Sequence, residues 1–236
     1  MKKIIGSLLV LMIAGTIHAQ NLVYDANAQE RKVGSFHGVS VGSGITLYLS
    51  QGNEDAVAVS AADEKDLEKM ITEVKDGILK IRVDNKPWGN WGYRKLKAYV
   101  TIKTLDYLSA SGGAIAKITD GIKVDAINTD ASGGSIIEGD LRGNNINAEL
   151  SGGSIFKIHG SFNNASIDAS GGSIFQDFDL VVNSCSVEAS GGSIISLSIT
   201  KEMKADASGG SIINYKGSGV ITSVDASGGS SIKKRD

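Results

Sequence analysis

A Ser-Gly-Gly triplet that returns about every 19 residues constrains this chain more than any other feature. The serine of the triplet stands at Ser111, Ser132, Ser151, Ser170, Ser190, Ser208 and Ser227, with spacings of 21, 19, 19, 20, 18 and 19 residues. A nearly fixed period of this length is typical of a repeat architecture. The segments before the triplets alternate between polar and apolar residues, as in SIDAS and SVEAS, and this period of two indicates strands.

The repeat predicts an all-β fold, a right-handed, single-stranded parallel β-helix of about seven rungs. Each glycine pair lies where a strand must turn sharply, and glycine adopts the required dihedral angles without steric cost. We expect the residue before each triplet, such as Ala131, and the isoleucine after it, such as Ile136, to face the core. A softer second corner is expected where asparagines can adopt left-handed conformations and form ladders, at residues 143–145, 162–164 and 181–184.

Two kinds of binding loop that also use paired glycines do not fit the triplet. A phosphate-binding loop requires Gly-Lys-Ser/Thr at the start of a helix, whereas here Ser or Ala follows the glycines in a predicted strand. The calcium-binding nonapeptide needs Gly-Gly-x-Gly-x-Asp, and this chain lacks the third glycine and the aspartate. The triplet is therefore interpreted as a structural corner.

One outward position of the repeat carries a carboxylate on six consecutive rungs. We call these residues the acidic column: Asp130, Glu149, Asp168, Glu188, Asp206 and Asp225. Like charges about 5 Å apart on neighbouring strands repel each other, and salt screens this only in part. Two interpretations stay open, a solvated stripe that opposes aggregation of the sheet and a set of oxygen ligands for Ca²⁺.

The first 19 residues have the layout of a secretory signal peptide. Lys2 and Lys3 precede an apolar run over residues 4–17, and Ala19 precedes the expected cleavage point. The run is short for a membrane span, and no other long apolar stretch follows it. We therefore expect an exported protein located in the periplasm, on the outer surface or outside the cell.

The net charge argues against a nucleic-acid partner, and the cysteine content excludes stabilisation by an internal disulfide. Without residues 1–19 the chain has 22 basic and 26 acidic residues, a formal net charge of −4. A nucleic-acid-binding protein would instead be basic. Cys185 is the only cysteine, so no internal disulfide can form, and its alternating position predicts a small buried side chain.

Residues 20–104 lack the triplet and are predicted to form a β-rich cap on the β-helix of residues 105–236, because an uncovered rung would expose unpaired backbone. Within the cap, the segment KPWGNWGYRK (86–95) contains both tryptophans of the chain. Aromatic side chains in a glycine-rich loop can stack on sugar rings or bind a protein partner. The candidate ligand-binding residues are Trp88, Trp91, Tyr93 and Arg94. The alternative is that the two tryptophans pack over the cap.

The repeat region offers little that resembles an active site. Some β-helical proteins are polysaccharide lyases or hydrolases with aspartate clusters and a basic residue in a groove, and the acidic column invites that comparison. The clearest local exception to the repeat is Glu138, Asp140 and Arg142, with His159 and residues 177–179 on nearby rungs. Because an active site should interrupt a uniform repeat, we expect a protein that is not an enzyme.

Several motifs, in order along the chain, resemble a known family. They are FHGVSVGSGITLYLSQG (36–52), DGILKIRV (76–83), YVTIKTLDYLSASGGA (99–114) and the Ser-Gly-Gly rungs that follow. Over about residues 33–230 the chain is similar to the head GIN domain of auto-transporter adhesins. The resemblance implies a secreted or surface-associated β-helical protein of a Gram-negative cell.

Together these observations predict an adhesin-like or envelope interaction protein that presents a rigid β-helical surface. Its expected partner is a glycan or a cell-surface or envelope protein, and self-association through the flat ends of the β-helix is a further hypothesis. The alternative function is that of a carbohydrate-binding or polysaccharide-cleaving β-helix protein.

Overall fold

The computed structural model describes residues 25–84 and 95–236. The predicted signal peptide lies outside these residues. The single short helix of the described chain, α1 (Glu64–Leu67), begins after Asp63, whose side chain accepts a hydrogen bond from the Lys65 amide at 2.9 Å. The strands are β1 (Gln29–Glu30), β2 (Gly38–Val41), β3 (Thr46–Gln51), β4 (Ala56–Ser60), β5 (Met70–Lys75), β6 (Ile78–Val83), β7 (Lys97–Ile102), β8 (Tyr107–Ala110), β9 (Ile115–Ile118), β10 (Ile122–Lys123), β11 (Ala126–Ala131), β12 (Ile136–Leu150), β13 (Ile155–Ala169), β14 (Ile174–Ala189), β15 (Ile194–Ala207), β16 (Ile212–Lys216), β17 (Val220–Ala226) and β18 (Ser231–Lys234).

Parallel strands stack turn upon turn and form a β-solenoid, whose triplet-bearing region makes about seven turns. In the middle of the stack, one long strand runs from one Ser-Gly-Gly triplet to the next. Strand β12 pairs with β13 from Ile136 opposite Ile155 to Leu150 opposite Ala169. Strand β13 pairs with β14 from Ile155 opposite Ile174 to Ala169 opposite Ala189, with a shift in register between Phe156 and Gly160. The predicted all-β class and parallel β-helix are therefore confirmed.

The Ser-Gly-Gly triplet is the sharp corner of each turn. The first glycine of every triplet has a positive φ, from 56° at Gly112 to 70° at Gly171. A Cβ atom at Gly171 would lie 3.1 Å from the backbone nitrogen of Gly152 in the preceding turn. Glycine is thus required both for its dihedral angles and for the close approach of successive corners, and the interpretation of the triplet as a corner is confirmed.

The serine after the glycine pair is buried and ties each corner to the preceding turn. Ser135 Oγ donates a hydrogen bond to the Ala110 carbonyl at 2.7 Å, and Ser154 Oγ donates to the Ala131 carbonyl at 2.9 Å. The same bond recurs at Ser173, Ser193, Ser211 and Ser230. Because a buried hydroxyl without a partner costs about 1–3 kcal/mol, these bonds explain how a polar column is tolerated inside the stack.

The side chains that face the core are only partly those predicted. Ala131, before its triplet, is buried as expected. The isoleucine after the triplet does not face the core, because Ile136 and Ile174 are partly exposed while the next residues, Ile137 and Phe175, are fully buried. That prediction was wrong because the buried serine takes the inward position, and the alternation places the following isoleucine outside.

The second corner of the middle turns carries the predicted asparagine ladder. Asn163 Nδ2 donates to Asn144 Oδ1 at 2.8 Å, and Asn183 Nδ2 donates to Asn163 Oδ1 at 2.9 Å. Asp125 accepts from Asn144 at one end of the ladder, and Thr200 donates to Asn183 at the other. None of these asparagines has a positive φ, so the expected left-handed backbone is absent from them. The ladder of side-chain bonds is what marks this corner.

Two turns of the solenoid lie in the region without the triplet. Strands β2 and β3 pair in parallel with β8 and β9 on one side and with β6 and β7 on the other. Between β2 and β3 the corner is Gly42-Ser43-Gly44, with φ of 58° at Ser43 and 68° at Gly44. A corner of different sequence thus serves the same geometry, and the solenoid begins before the first Ser-Gly-Gly triplet.

Antiparallel strands cover the outer edge of the turn formed by β6 and β7. Strand β5 pairs with β6, β4 pairs with β7, and the short β1 pairs with β4. Asp25 fastens the segment before β1 to this turn, since its Oδ2 accepts hydrogen bonds from the Tyr99 hydroxyl at 2.8 Å and from Lys97 Nζ at 3.1 Å. These strands occupy backbone groups that an uncovered edge would leave unpaired.

Candidate functional site

The acidic column lies in register along one outward face of the solenoid. Each of its six carboxylates is the direct strand partner of the next along the stack. Asp130 is partly buried and the other five members are exposed. The Tyr107 hydroxyl donates a hydrogen bond to Asp130 Oδ2, and burial together with this bond raises the pKa of Tyr107. The predicted carboxylate stripe is thus present as a continuous surface feature.

The carboxylates of the acidic column follow one another at the spacing of neighbouring strands, about 4.8 Å. In residues 25–84 and 95–236, no group of three or more His, Cys, Asp or Glu side chains could hold a metal ion. The solvated stripe and the Ca²⁺ site both remain predictions for this column.

A solvent-open groove of about 360 Å³ lies beside the first member of the acidic column. We call it the strand-start groove, because its residues lie at or near the beginnings of strands β2, β6, β8 and β11. It is lined by His37, Ile78, Asp106, Tyr107, Ala126 and Asn128. These residues come from four neighbouring turns, so stacking of the turns brings them together.

Gly38 permits the side walls of the strand-start groove to approach each other. It is the strand partner of Ile78 on one side and of Tyr107 on the other. A Cβ atom at Gly38 would lie 2.4 Å from Ile78 Cδ1 and 2.9 Å from Tyr107 Cβ. The glycine therefore leaves room for the isoleucine and tyrosine side chains, which form an apolar surface above it.

A His–Asp pair forms the polar rim of the groove. His37 Nδ1 and Asp106 Oδ1 are 2.6 Å apart, and both side chains are about half exposed, at 50% and 56%. The backbone holds the pair as well, because the Asp106 amide donates to the His37 carbonyl at 3.0 Å. The imidazole lies against Gly77, where a Cβ atom would be 2.2 Å from Nε2. The His–Asp pair is therefore held both by the backbone hydrogen bond between Asp106 and His37 and by the packing of the imidazole against Gly77.

A lane of small polar side chains leads away from the groove along the same face. Asn128 is in register with Asn147, which is followed by Ser166 and Ser186 on the next two turns. None of these four side chains has a hydrogen-bond partner within the part of the chain that the structure describes. The lane runs beside the acidic column, two residues before it on every strand, and its polar groups are available to a ligand.

The residues considered for catalysis form separate ion pairs on a different face. These pairs are Lys117–Glu138 at 2.6 Å, Arg142–Asp140 at 2.9 Å and His159–Asp177 at 2.8 Å. Asp140 and His159 are strand partners, so the structure does bring the candidate residues onto neighbouring turns. Glu138 and Asp140 are each paired with a basic side chain, and Asp177 is bonded to the His159 imidazole.

Cys185 is a core residue, as its position in the repeat predicts. It is buried with 7% exposure, and burial raises the pKa of its thiol to about 12. The thiolate, which is the nucleophilic form, is therefore disfavoured at neutral pH.

The predicted ligand-binding residues Trp88, Trp91, Tyr93 and Arg94 lie outside the described residues. Their segment connects β6 to β7, the strands of the turn that β4 and β5 cover. In the repeat region this connection is made by the Ser-Gly-Gly corner. Their role in binding remains a prediction.

The strand-start groove was not predicted from the sequence. His37 and Asp106 are 69 residues apart, and neither belongs to the triplet repeat. The only available signal was that Gly-Val and Tyr-Leu, which follow these residues, both begin alternating segments. Recognising that these segments are strand partners required the stacking order of the turns.

Comparisons with known proteins agree with the solenoid and indicate a family. The family model described as "Putative auto-transporter adhesin, head GIN domain" matches residues 35–219. A search of curated proteins found no match. Within the described ranges, no helix is long and apolar enough to cross a membrane.

Solved structures of low sequence identity share the fold. A putative adhesin from Bacteroides fragilis NCTC 9343 is 22% identical with a TM-score of 0.81, covering 88% of this chain and 96% of that chain. A putative adhesin from Parabacteroides merdae ATCC 43184 is 14% identical with a TM-score of 0.70, covering 89% and 95%. A putative lipid binding protein from Parabacteroides distasonis ATCC 8503 is 23% identical with a TM-score of 0.67, covering 89% and 96%.

Proposed function

The chain belongs to the family of putative auto-transporter adhesins with a head GIN domain, and from this premise we propose that it is an exported, non-enzymatic, adhesin-like protein. It uses the outer face of its solenoid to contact a glycan or a protein of a cell surface or envelope. The family membership supports the adhesin-like role and a Gram-negative source, and the layout of residues 1–19 supports export.

The observation that carries this proposal is the exposed polar face formed by the acidic column and the adjacent lane. Both run in register from β11 to β14, over a core whose residues are almost fully buried. A surface held by continuous backbone pairing loses little conformational freedom on binding, so its contacts contribute more fully to affinity. Such a face suits recognition of an extended or repetitive partner.

Carbohydrate binding is the second candidate function, and the strand-start groove favours it. The groove combines an apolar surface with a few convergent polar groups, which is the usual composition of a small-molecule site. Trp88, Trp91, Tyr93 and Arg94 remain proposed contact residues. Cleavage of polysaccharides has less support, because Glu138 and Asp140 are each paired with a basic side chain and Asp177 with the His159 imidazole.

A binding experiment on the protein from residue 20 onward tests the proposed function. The immobilised protein is exposed to fixed cells, extracellular proteins and a glycan array, with a Trp88→Ala, Trp91→Ala double variant measured in parallel. We expect saturable binding to at least one surface and no release of reducing or unsaturated ends from polysaccharides. Absence of binding to every surface, or release of such ends, would contradict the proposal.

Location is tested separately by protease treatment of intact cells. A surface-exposed protein is degraded while a periplasmic marker survives, and a periplasmic protein is degraded only after the outer membrane is opened. Retention in the cytoplasm would contradict export.

A further inference from the structure

We propose that the strand-start groove binds one neutral pyranose unit of a glycan, and that the adjoining lane binds the units that follow. This deepens the proposed function, on which it rests, by naming the class of ligand and the residues that contact it.

The apolar side of the groove suits the C–H face of a sugar ring. Tyr107 and Ile78 stand on either side of Gly38 and present adjoining carbon surfaces. The Tyr107 hydroxyl is held by Asp130, so the aromatic ring has a fixed orientation before any ligand arrives. A pre-oriented ring loses little freedom when a sugar stacks against it.

The polar side of the groove suits the hydroxyl groups at the edge of the same ring. His37 holds Asp106 through Oδ1, and Oδ2 has no hydrogen-bond partner among the described residues. The exposed amide of Asn128 supplies both a donor and an acceptor. A carboxylate oxygen that accepts and an amide that donates and accepts match neighbouring sugar hydroxyls, which can do both.

The surrounding charges select against acidic sugars. Asp106 lines the groove, while Asp130 and Glu149 flank the groove and the lane. The carboxylate of a uronic or sialic acid would approach these groups at short range, where like charges repel. The basic residue Lys80 lies two positions beyond Ile78 on β6, at the far side from the lane. Lys204 follows Ser186 in register at the other end of the lane, five turns beyond Tyr107 and away from the groove. A neutral sugar is therefore the ligand expected in the groove and at the lane positions next to it.

The spacing of the lane suits a chain of sugars. Asn128, Asn147, Ser166 and Ser186 recur once per turn. Successive turns are about 4.8 Å apart, which is close to the length of one pyranose unit in an extended glycan. Each further unit would therefore meet the next polar side chain.

The chain offers a matched control for a test of this site. His37–Asp106 and His159–Asp177 are both surface His–Asp pairs, with separations of 2.6 and 2.8 Å and histidine exposures of 50% and 52%. Only the first pair lines the groove. Asp106→Ala and Asp177→Ala thus each remove the carboxylate of a His–Asp pair, on two different faces. Asp177 is less exposed, at 17% against 56% for Asp106, and also accepts a hydrogen bond from the Asp179 amide, so the melting temperature of both variants is measured alongside.

The experiment measures binding of the protein from residue 20 onward to arrays of neutral, amino and acidic glycans. We expect binding to a neutral glycan, at least a tenfold loss of affinity in Asp106→Ala, and unchanged affinity in Asp177→Ala. Ala126→Trp provides a second variant, because it fills the exposed rim of the groove from a position that supports no core contact. It should also abolish binding while leaving the melting temperature unchanged.

The outcomes separate this inference from the proposed function. Neutral-glycan binding that survives both Asp106→Ala and Ala126→Trp would overturn the assignment of the site, and preference for acidic glycans would overturn the assignment of the ligand. Binding to cell-surface proteins without any glycan binding would leave the adhesin-like role standing and remove the sugar site. Loss of binding only in Trp88→Ala, Trp91→Ala would place the contact elsewhere.

Discussion

The two corners of a solenoid turn are stabilised in different ways. At the Ser-Gly-Gly corner, the constraint is in the backbone and the interior, through positive φ values and a buried serine bonded to the preceding turn. At the asparagine corner, exposed side chains bond to one another along the surface while the backbone keeps ordinary dihedral angles. The contrast implies that stability depends strongly on the first corner and weakly on the second.

The largest effect is expected from Gly171→Ala. The substitution places a Cβ on a residue with φ of 70° and 3.1 Å from the Gly152 nitrogen. We expect the free energy of unfolding, measured by urea denaturation, to fall by about 1–3 kcal/mol. The adjacent Gly172→Ala is the matched control, because φ there is not positive and nothing lies within 4 Å of its Cβ. Equal effects of the two changes would contradict the backbone explanation.

A smaller effect is expected from Ser154→Ala. The change removes the hydrogen bond to the Ala131 carbonyl, which still accepts one from the Ser151 amide. We therefore expect a loss of about 1 kcal/mol in the free energy of unfolding. Ser166→Ala on the exposed lane serves as the control and should have no measurable effect. A loss no larger than that of Ser166→Ala would show that the buried serine is dispensable, as it is at Ala114 in the first triplet copy.

The hydrogen bonds to Asp25 are titratable, unlike those of the two corners, so their contribution to stability should depend on pH. Burial alone would raise the pKa of Asp25, but hydrogen bonds from Tyr99, the Asn27 amide and Lys97 outweigh it and lower the pKa from 3.8 to about 2. The contribution of Asp25 to stability is therefore complete above pH 3.8 and is lost as the pH falls towards 2. We expect the melting temperature of Asp25→Asn to depend less on pH in this window.

The exposed Asp225→Asn provides the control for that titration. It removes a carboxylate far from the segment that Asp25 fastens. If both variants change the pH dependence equally, the hydrogen bonds to Asp25 are not its source.

The asparagine corner is expected to be more tolerant. Asn163→Ala breaks one bond donated to Asn144 and one accepted from Asn183, but water can replace both at this exposed position. We expect a loss of about 0.5 kcal/mol or less in the free energy of unfolding. A loss as large as that of Gly171→Ala would remove the distinction between the two corners.

The smallest effect is expected in the acidic column. Asp168→Asn relieves repulsion from Glu149 and Glu188, its partners on the neighbouring turns. We expect a stabilisation of about 0.3 kcal/mol at low salt that disappears at high salt. Asp120→Asn, outside the column, is the control. A fall in melting temperature on chelation would instead favour the bound Ca²⁺ hypothesis.

The regular part of the fold was predictable from the sequence because its signals repeat. The glycine pairs return at a nearly constant spacing, so the corner, the parallel stacking and the asparagine ladder could all be predicted. The one-residue error at Ile136 has a specific cause. Polar residues are normally assigned to the surface, whereas Ser135 is fully buried with its hydroxyl bonded to a carbonyl.

The groove could not be predicted, because its residues have no common period. His37, Ile78, Asp106 and Asn128 meet only because the turn of β6 and β7 stacks on the far side of β2 and β3 from β8. The chain thus forms the turn of β2 and β3 first, then the end turn of β6 and β7, and then adds all later turns on the opposite side of β2 and β3. No local pattern indicates such an order, which depends on the pairing of distant strands.

The buried serine ladder also gives the stack a direction of growth. Every serine hydroxyl reaches back to a carbonyl of the preceding turn, so each new turn finds its acceptors already in place. Turns in a repeat protein contact mainly their neighbours, and structure can propagate from one to the next. A chain that emerges from a translocation channel with its N-terminus first could therefore be laid down turn by turn, without waiting for its C-terminal sequence.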